Sequence, residues 1–197
     1  VTGFTVNGPA PAETAATDLS VMTYNVCGQN KCVTSSNGMK PWTTRKPLAG
    51  SLVQSIGADI VSTQESHATD TRLGDVMPGY ATAVSSKSKT LFYKTAVAEV
   101  VRSGAMTLDS KRSRYGVWAE FRIKKTGARV IVVDPHLEPG KGKTLDDVRT
   151  AQTATLLAET KKVNTAGLPV IWAGDFNSNA SNADQSKYKG GYDAPRR

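Results

Sequence analysis

The apolar run Leu168-Pro169-Val170-Ile171-Trp172-Ala173 stops at Gly174-Asp175-Phe176-Asn177. A short run of this kind, bounded by breakers, reads as a buried strand. A strand ending on an Asp and an Asn fixes the backbone and presents two polar side chains at its carboxyl end, where α/β sheets place their chemistry. The same tetrapeptide also reads as an ordinary turn, because Gly, Asp and Asn are residues that turns favour. Three more strand ends with the same kind of payload weigh against that reading.

Leu19 to Asn25 alternates apolar and polar residues and stops at Asn25, with Gly28 close behind. Residues 58–63 follow a helix-like segment and end at Gln64-Glu65. Residues 129–133 form a β-branched run that ends at Asp134-Pro135-His136-Leu137. Laid side by side, such strands gather Asn25, Glu65, His136, Asp175 and Asn177 on one rim of a sheet. Asn, Glu and Asp offer hard oxygen donors, which suit Mg²⁺ or Mn²⁺ better than zinc. Taken singly, His136 also reads as a partly buried histidine and Asn25 as a turn amide. Glu65 is harder to explain so, since an unpaired carboxylate at the end of an apolar strand is costly.

Between these strands, Thr44 to Ile56 reads as a helix with Leu48, Leu52, Val53 and Ile56 on one face and Gly57 as its stop. Thr144 to Val163 reads as a second helix, opened by a capping-box-like pair, Thr144 and Asp147, with Arg149 as a surface or salt-bridge residue. The stretch around Met77-Pro78-Gly79-Tyr80 reads as a loop. Thr90–Tyr93 and Ala96–Val101 read as hairpin strands, and Val117–Ile123 pairs with Arg129–Val133 through residues 124–127. Hairpins together with helices that lead into buried strands predict α/β layering with mixed sheets.

At 197 residues the chain is long enough for one domain with a real core. We expect an extended leader or linker over residues 1–17 and the domain over 18–197. No apolar stretch is long enough to cross a bilayer, and no basic start with an apolar run opens the chain, as in a mature exported protein or an excised piece. Cys27 and Cys32 either close a small disulfide loop beside Asn25 or remain free thiols; no second pair or nearby His completes a zinc site. The disulfide reading implies an oxidising compartment and a secreted protein. The net charge of +8 draws polyanions. Arg114 and Tyr115, Lys141 in the loop past His136, and Arg45 near the start of the first helix are the candidate substrate contacts.

The segments Met22-Thr23-Tyr24-Asn25-Val26, Asp59 to Glu65, His136 and Gly174-Asp175-Phe176-Asn177 together resemble the endonuclease/exonuclease/phosphatase superfamily of DNase I-like proteins, in the family's order. The resemblance implies two mixed β-sheets packed as a sandwich with outer helices. It implies Glu65 as the main Mg²⁺ ligand, with Asn25 as a ligand or a ligand-orienting amide. His136 would hydrogen-bond the phosphate, Asp175 would aim and deprotonate the attacking water, and Asn177 would hold the phosphate or water in place. A divalent cation that draws charge from an anionic phosphodiester suits this set.

Two features depart from the family pattern. Asp134-Pro135 stands where relatives carry an Asn-Thr or similar pair, and Pro135 removes a backbone donor. Relatives also continue to a late Asp-His pair, whereas no His follows Asn177 here, and His67 and His136 are the only two in the chain. The expectation is a sandwich incomplete at its C-terminus, with a second polypeptide as one source of the missing group. The first functional reading is a secreted, Mg²⁺-dependent endonuclease acting on DNA or RNA. The alternatives are a phosphatase or a phospholipid or inositol-phosphate phosphodiesterase with the same machinery, and an inactive polyanion-binding module.

Overall fold

The computed structural model describes residues 18–28, 32–34, 36–66 and 71–178. The expected leader over 1–17 and His67 lie outside them. The described chain runs β1 (Val21–Asn25), α1 (Trp42–Ile56), β2 (Ile60–Gln64), a 3-10 turn (Thr71–Val76), β3 (Tyr80–Ser86), β4 (Lys89–Lys94), β5 (Ala98–Asp109), β6 (Arg114–Ile123), β7 (Arg129–Pro135), α2 (Lys143–Val163) and β8 (Val170–Trp172).

Two mixed four-stranded sheets result, in the orders β1-β2-β4-β3 and β5-β6-β7-β8. They pack face to face over Ile60, Leu91, Val117, Phe121 and Val132. α1 covers the outer face of the first sheet over Val53, Val61 and Phe92. α2 covers the second over Ile131, Val133 and Leu156. Both sheets are thus covered on both faces, which is why β2 and β7 read as unbroken apolar or small-residue runs.

Four expectations give way. The stretch around Tyr80 is not all loop: β3 begins there and pairs with β4. β4 and β5 do not form a hairpin, since β4 pairs with β2 and β3 while β5 pairs with β6. β4 and β5 contribute Leu91 and Ala98 to the same inter-sheet core, so the chain crosses from one layer to the other between them. In α1 the buried residues are Trp42, Ala49, Gly50 and Val53, and Leu48, Leu52 and Ile56 face solvent. The helix begins two residues earlier than expected, with Trp42 as its anchor. Gly50 faces the 3-10 turn so closely that a Cβ there would collide with Val76. Finally, Gly142, not a Thr144 side chain, caps α2, with no side-chain hydrogen bond.

Candidate active site

Parallel pairing sets the site. β1 runs parallel to β2 with Asn25 opposite Gln64, so Asn25 and Glu65 leave the first sheet at one rim. β7 runs parallel to β8, and their pairing continues past the strands as a bridge between His136 and Asp175. Backbone bonds lock that bridge: Asp175 N donates to the Pro135 carbonyl and Leu137 N to the Asp175 carbonyl, each at 2.9 Å. Gly174 is required here, because a Cβ would run into the Pro135 carbonyl oxygen. Two side chains tie the sheets together just below the rim. The Ser62 hydroxyl donates to the Ala173 carbonyl, and Gln64 Nε2 donates to Asp134 Oδ1 at 2.8 Å.

The five residues expected at strand ends therefore meet. Asn25 Nδ2 donates one hydrogen bond to Glu65 Oε1 and another to Asp175 Oδ2, both 2.9 Å. Its carbonyl oxygen accepts from Cys27 N at 3.0 Å. With its oxygen engaged and its nitrogen between two carboxylates, Asn25 fits the orienting amide rather than the metal ligand. Asp175 is held at both oxygens, its Oδ1 accepting from Asn177 N at 2.9 Å. Asn177 Nδ2 donates to the Leu137 carbonyl at 3.0 Å. His136 Nε2 lies 3.7 Å from Asp175 Oδ2. Burial lowers the His136 pKa against the pull of Asp175 and so favours the neutral imidazole. Glu65, Cys27 and Asn177 hold positive φ of 57°, 43° and 48°. For residues other than Gly such backbones cost about 1–3 kcal/mol each, and they cluster at functional sites.

Cys27 and Cys32 are joined as a disulfide. Their sulfurs lie near Glu65 and superficially complete a metal trio, but a disulfide has no thiolate to give. The carboxylates of Glu65 and Asp175, converging on one amide, form an all-oxygen donor set that fits a hard divalent cation.

A cleft of about 440 Å³ opens beside these residues, lined by Glu65, His136, Asn177, Lys87, Lys89 and Arg114 among others. Antiparallel return explains the cations. β4 starts at Lys89 opposite Gln64, and β6 starts at Arg114 near the end of β7, so strand beginnings come to the same rim as strand ends. Arg114 Nε donates to Glu138 at 2.9 Å. Tyr115 offers its carbonyl to His136 N at 3.3 Å and its ring to Lys87 and Lys89. Lys87 and Lys89 are not among the sequence-based candidates; the signal that finds them is the β3–β4 hairpin, whose turn carries neither Gly nor Asn.

Two expected contacts are placed elsewhere. Arg45 is a structural clamp: its guanidinium donates to the carbonyls of Lys40, Val26 and Cys27 at 2.7, 2.8 and 2.6 Å, which steadies the loop after β1. Lys141 is exposed and does not line the cleft. Arg149 is a salt-bridge residue but not a surface one. Fully buried, it pairs with Asp146 and donates to the carbonyls of Glu138 and Gly140.

The two sheets thus bring carboxylates, amides and a histidine to one rim of a layered α/β fold. The sequence matches the model of the Endonuclease/Exonuclease/phosphatase family over residues 22–191, and the chain belongs to that family. Its members are phosphoesterases that generally depend on a divalent metal. A mannosyl-6-phosphatase of Bacteroides thetaiotaomicron is 25% identical, with a TM-score of 0.73 over 90% of this chain and 69% of that one. The human Nocturnin catalytic domain with bound sulfate is 20% identical, with a TM-score of 0.70 over 83% of this chain and 66% of that one. D. rerio TDP2 complexed with single strand DNA product is 18% identical, with a TM-score of 0.63 over 82% of this chain and 62% of that one. The last two likenesses speak to the fold alone. No curated protein sequence matches the chain closely.

Proposed function

We propose that this chain carries the catalytic site of an exported, Mg²⁺-dependent phosphodiesterase acting on nucleic acid. The observation that carries the reading is the Asn25 amide bridging Glu65 and Asp175 at the mouth of a cationic cleft. The Cys27–Cys32 disulfide supports export.

Glu65 would hold the cation, with Asp175 facing it across the Asn25 amide. When bound, the ion withdraws charge from the phosphate and eases deprotonation of water. The residues do the rest. Asn25 keeps both carboxylates from swinging away. Asp175, fixed at each oxygen, aims the attacking water and takes its proton. Neutral His136 hydrogen-bonds a phosphoryl oxygen as charge builds there, and the Asn177 side chain holds the same group from beside it. Arg114 meets the anionic substrate at the cleft wall. On the family pattern, a further histidine, which this sequence does not supply after Asn177, would come from another segment or a second polypeptide.

A sugar-phosphate reading is favoured by one finding, the likeness to the mannosyl-6-phosphatase. Nicking of supercoiled plasmid in Mg²⁺ and in EDTA, beside phosphate release from mannose 6-phosphate, separates the two. We expect metal-dependent nicking that Asp175→Ala lowers by about a hundredfold or more. Phosphate release without nicking would replace nucleic acid by a phosphomonoester as substrate. Salt-sensitive DNA binding with neither reaction would leave a binding module.

A further inference from the structure

Lys89 is the least expected residue in the cleft. Only 5% of its surface is exposed, and its ammonium has two contacts: a hydrogen bond to the Lys87 carbonyl at 2.6 Å and the Tyr115 ring at 5.9 Å. Among the described residues no carboxylate reaches it at ion-pairing distance. Burial depresses its pKa to about 8, so it is still mainly charged at neutral pH. Asp134 is one nearby acid, and burial pushes its carboxyl well above the usual range; Glu65, the other, is the residue placed to hold the cation. A buried charge without a counter-ion at ion-pairing distance is expensive, and its natural complement is an anion that arrives in the cleft.

The hairpin that carries Lys89 is also strained. Its two turn residues, Lys87 and Ser88, have φ of 48° and 68°. Two-residue hairpins of this type strongly favour Asn-Gly, since both positions need a left-handed backbone. The Lys-Ser pair sets a second ammonium, that of Lys87, 5.5 Å from the same Tyr115 ring. One aromatic ring thus carries two cations, drawn from a hairpin of one sheet towards a strand of the other.

We propose that Lys89 and Lys87, gathered over Tyr115, form a second anion subsite that takes a phosphate of the substrate other than the one being cleaved. This rests on the phosphoester reading and sharpens it: the preferred substrates carry at least two phosphates on one molecule, either neighbouring phosphates of a nucleic-acid strand or the two of a small bisphosphate.

The test is calorimetric binding in EDTA, which needs no turnover. Thymidine dinucleotide with a 5′-phosphate (pTpT) is compared with TpT, and glucose 1,6-bisphosphate with glucose 6-phosphate. For the wild type we expect the extra phosphate to tighten at least one pair by about tenfold, the scale of a charge-assisted hydrogen bond. The pair that responds identifies the source of the second phosphate. Lys89→Met should bring that ratio close to one, Lys87→Asn should reduce it, and Lys125→Met, which removes an exposed lysine, should leave it as it is. Lys87→Asn puts a favoured residue in the turn, so the hairpin survives the change. Lys89→Met should melt no lower than the wild type, because it removes a buried charge. A lower melting temperature with an unchanged binding ratio would make Lys89 a structural residue. Equal affinities within both pairs for the wild type would also overturn the subsite. Plasmid nicking and mannose 6-phosphate release are scored separately. Binding that depends on the lysines without any turnover would sink the hydrolase reading and leave the subsite; turnover with no such dependence would do the reverse.

Discussion

Asp134 shows how one residue can set the electrostatics under a site. Its carboxyl is fully buried between the sheets, where it accepts from Gln64. Burial outweighs the hydrogen bonds and the nearby Lys89 charge, and holds its pKa well above the ordinary carboxylate range. A folded pKa above the unfolded value of about 3.9 means that the folded state binds the extra proton. The stabilising contribution is therefore complete below that value and is lost as pH rises towards the folded pKa. Asp134→Asn, which cannot titrate, should melt higher than the wild type at neutral pH, with the gain shrinking as pH falls towards 4. Thermal melts of both proteins from pH 4 to 8 would check this; a gain that grows with acid would refute the assignment. Asn25, Glu65, His136, Asp175 and Asn177 were legible in the sequence, because each sits just past an apolar run whose end is easy to see. The partners of the Asn25 side chain were not, because they depend on which way its nitrogen points.

At the scale of elements, the two helices fared differently. α2 was placed to within a residue at its start, and Leu156 packs as an amphipathic reading requires. α1 was located but rotated. Leu48, Leu52 and Ile56 drew the reading towards one face, while Trp42, Ala49, Gly50 and Val53 are the residues that meet the sheet. Small residues at a close helix–turn contact carry little hydrophobic signal, although Gly50 is what permits the approach. The consequence is measurable. Leu48→Gln, at a residue that is 67% exposed, should change unfolding stability by no more than about 0.5 kcal/mol. Leu156→Ala, at 1% exposed, should cost about 2–5 kcal/mol. Urea titrations check both, and a cost of about 2 kcal/mol or more for Leu48→Gln would contradict the α1 face. The β3–β4 hairpin escaped notice because its turn has no Gly or Asn, and with it went the placement of Lys89.

Across the whole molecule, the sandwich works as a register device. Two parallel pairs, β1 with β2 and β7 with β8, bring four strand ends to one rim, and the antiparallel partners β4 and β6 bring their basic beginnings to the same place. The layered α/β architecture could be read from the alternation of helices and buried runs. The β6–β7 pairing could be read as well; the partners of β4 and β5 could not, because the two adjoin in sequence but belong to different sheets. On the proposed reading, this convergence makes one cation site with Glu65 as its principal ligand. Mn²⁺ titration followed by electron paramagnetic resonance tests it directly, with the wild type beside Glu65→Gln. Saturable binding by the wild type, weakened by more than about tenfold in Glu65→Gln, is the expected result. Equal Mn²⁺ binding by the two proteins, or none by the wild type, would contradict it.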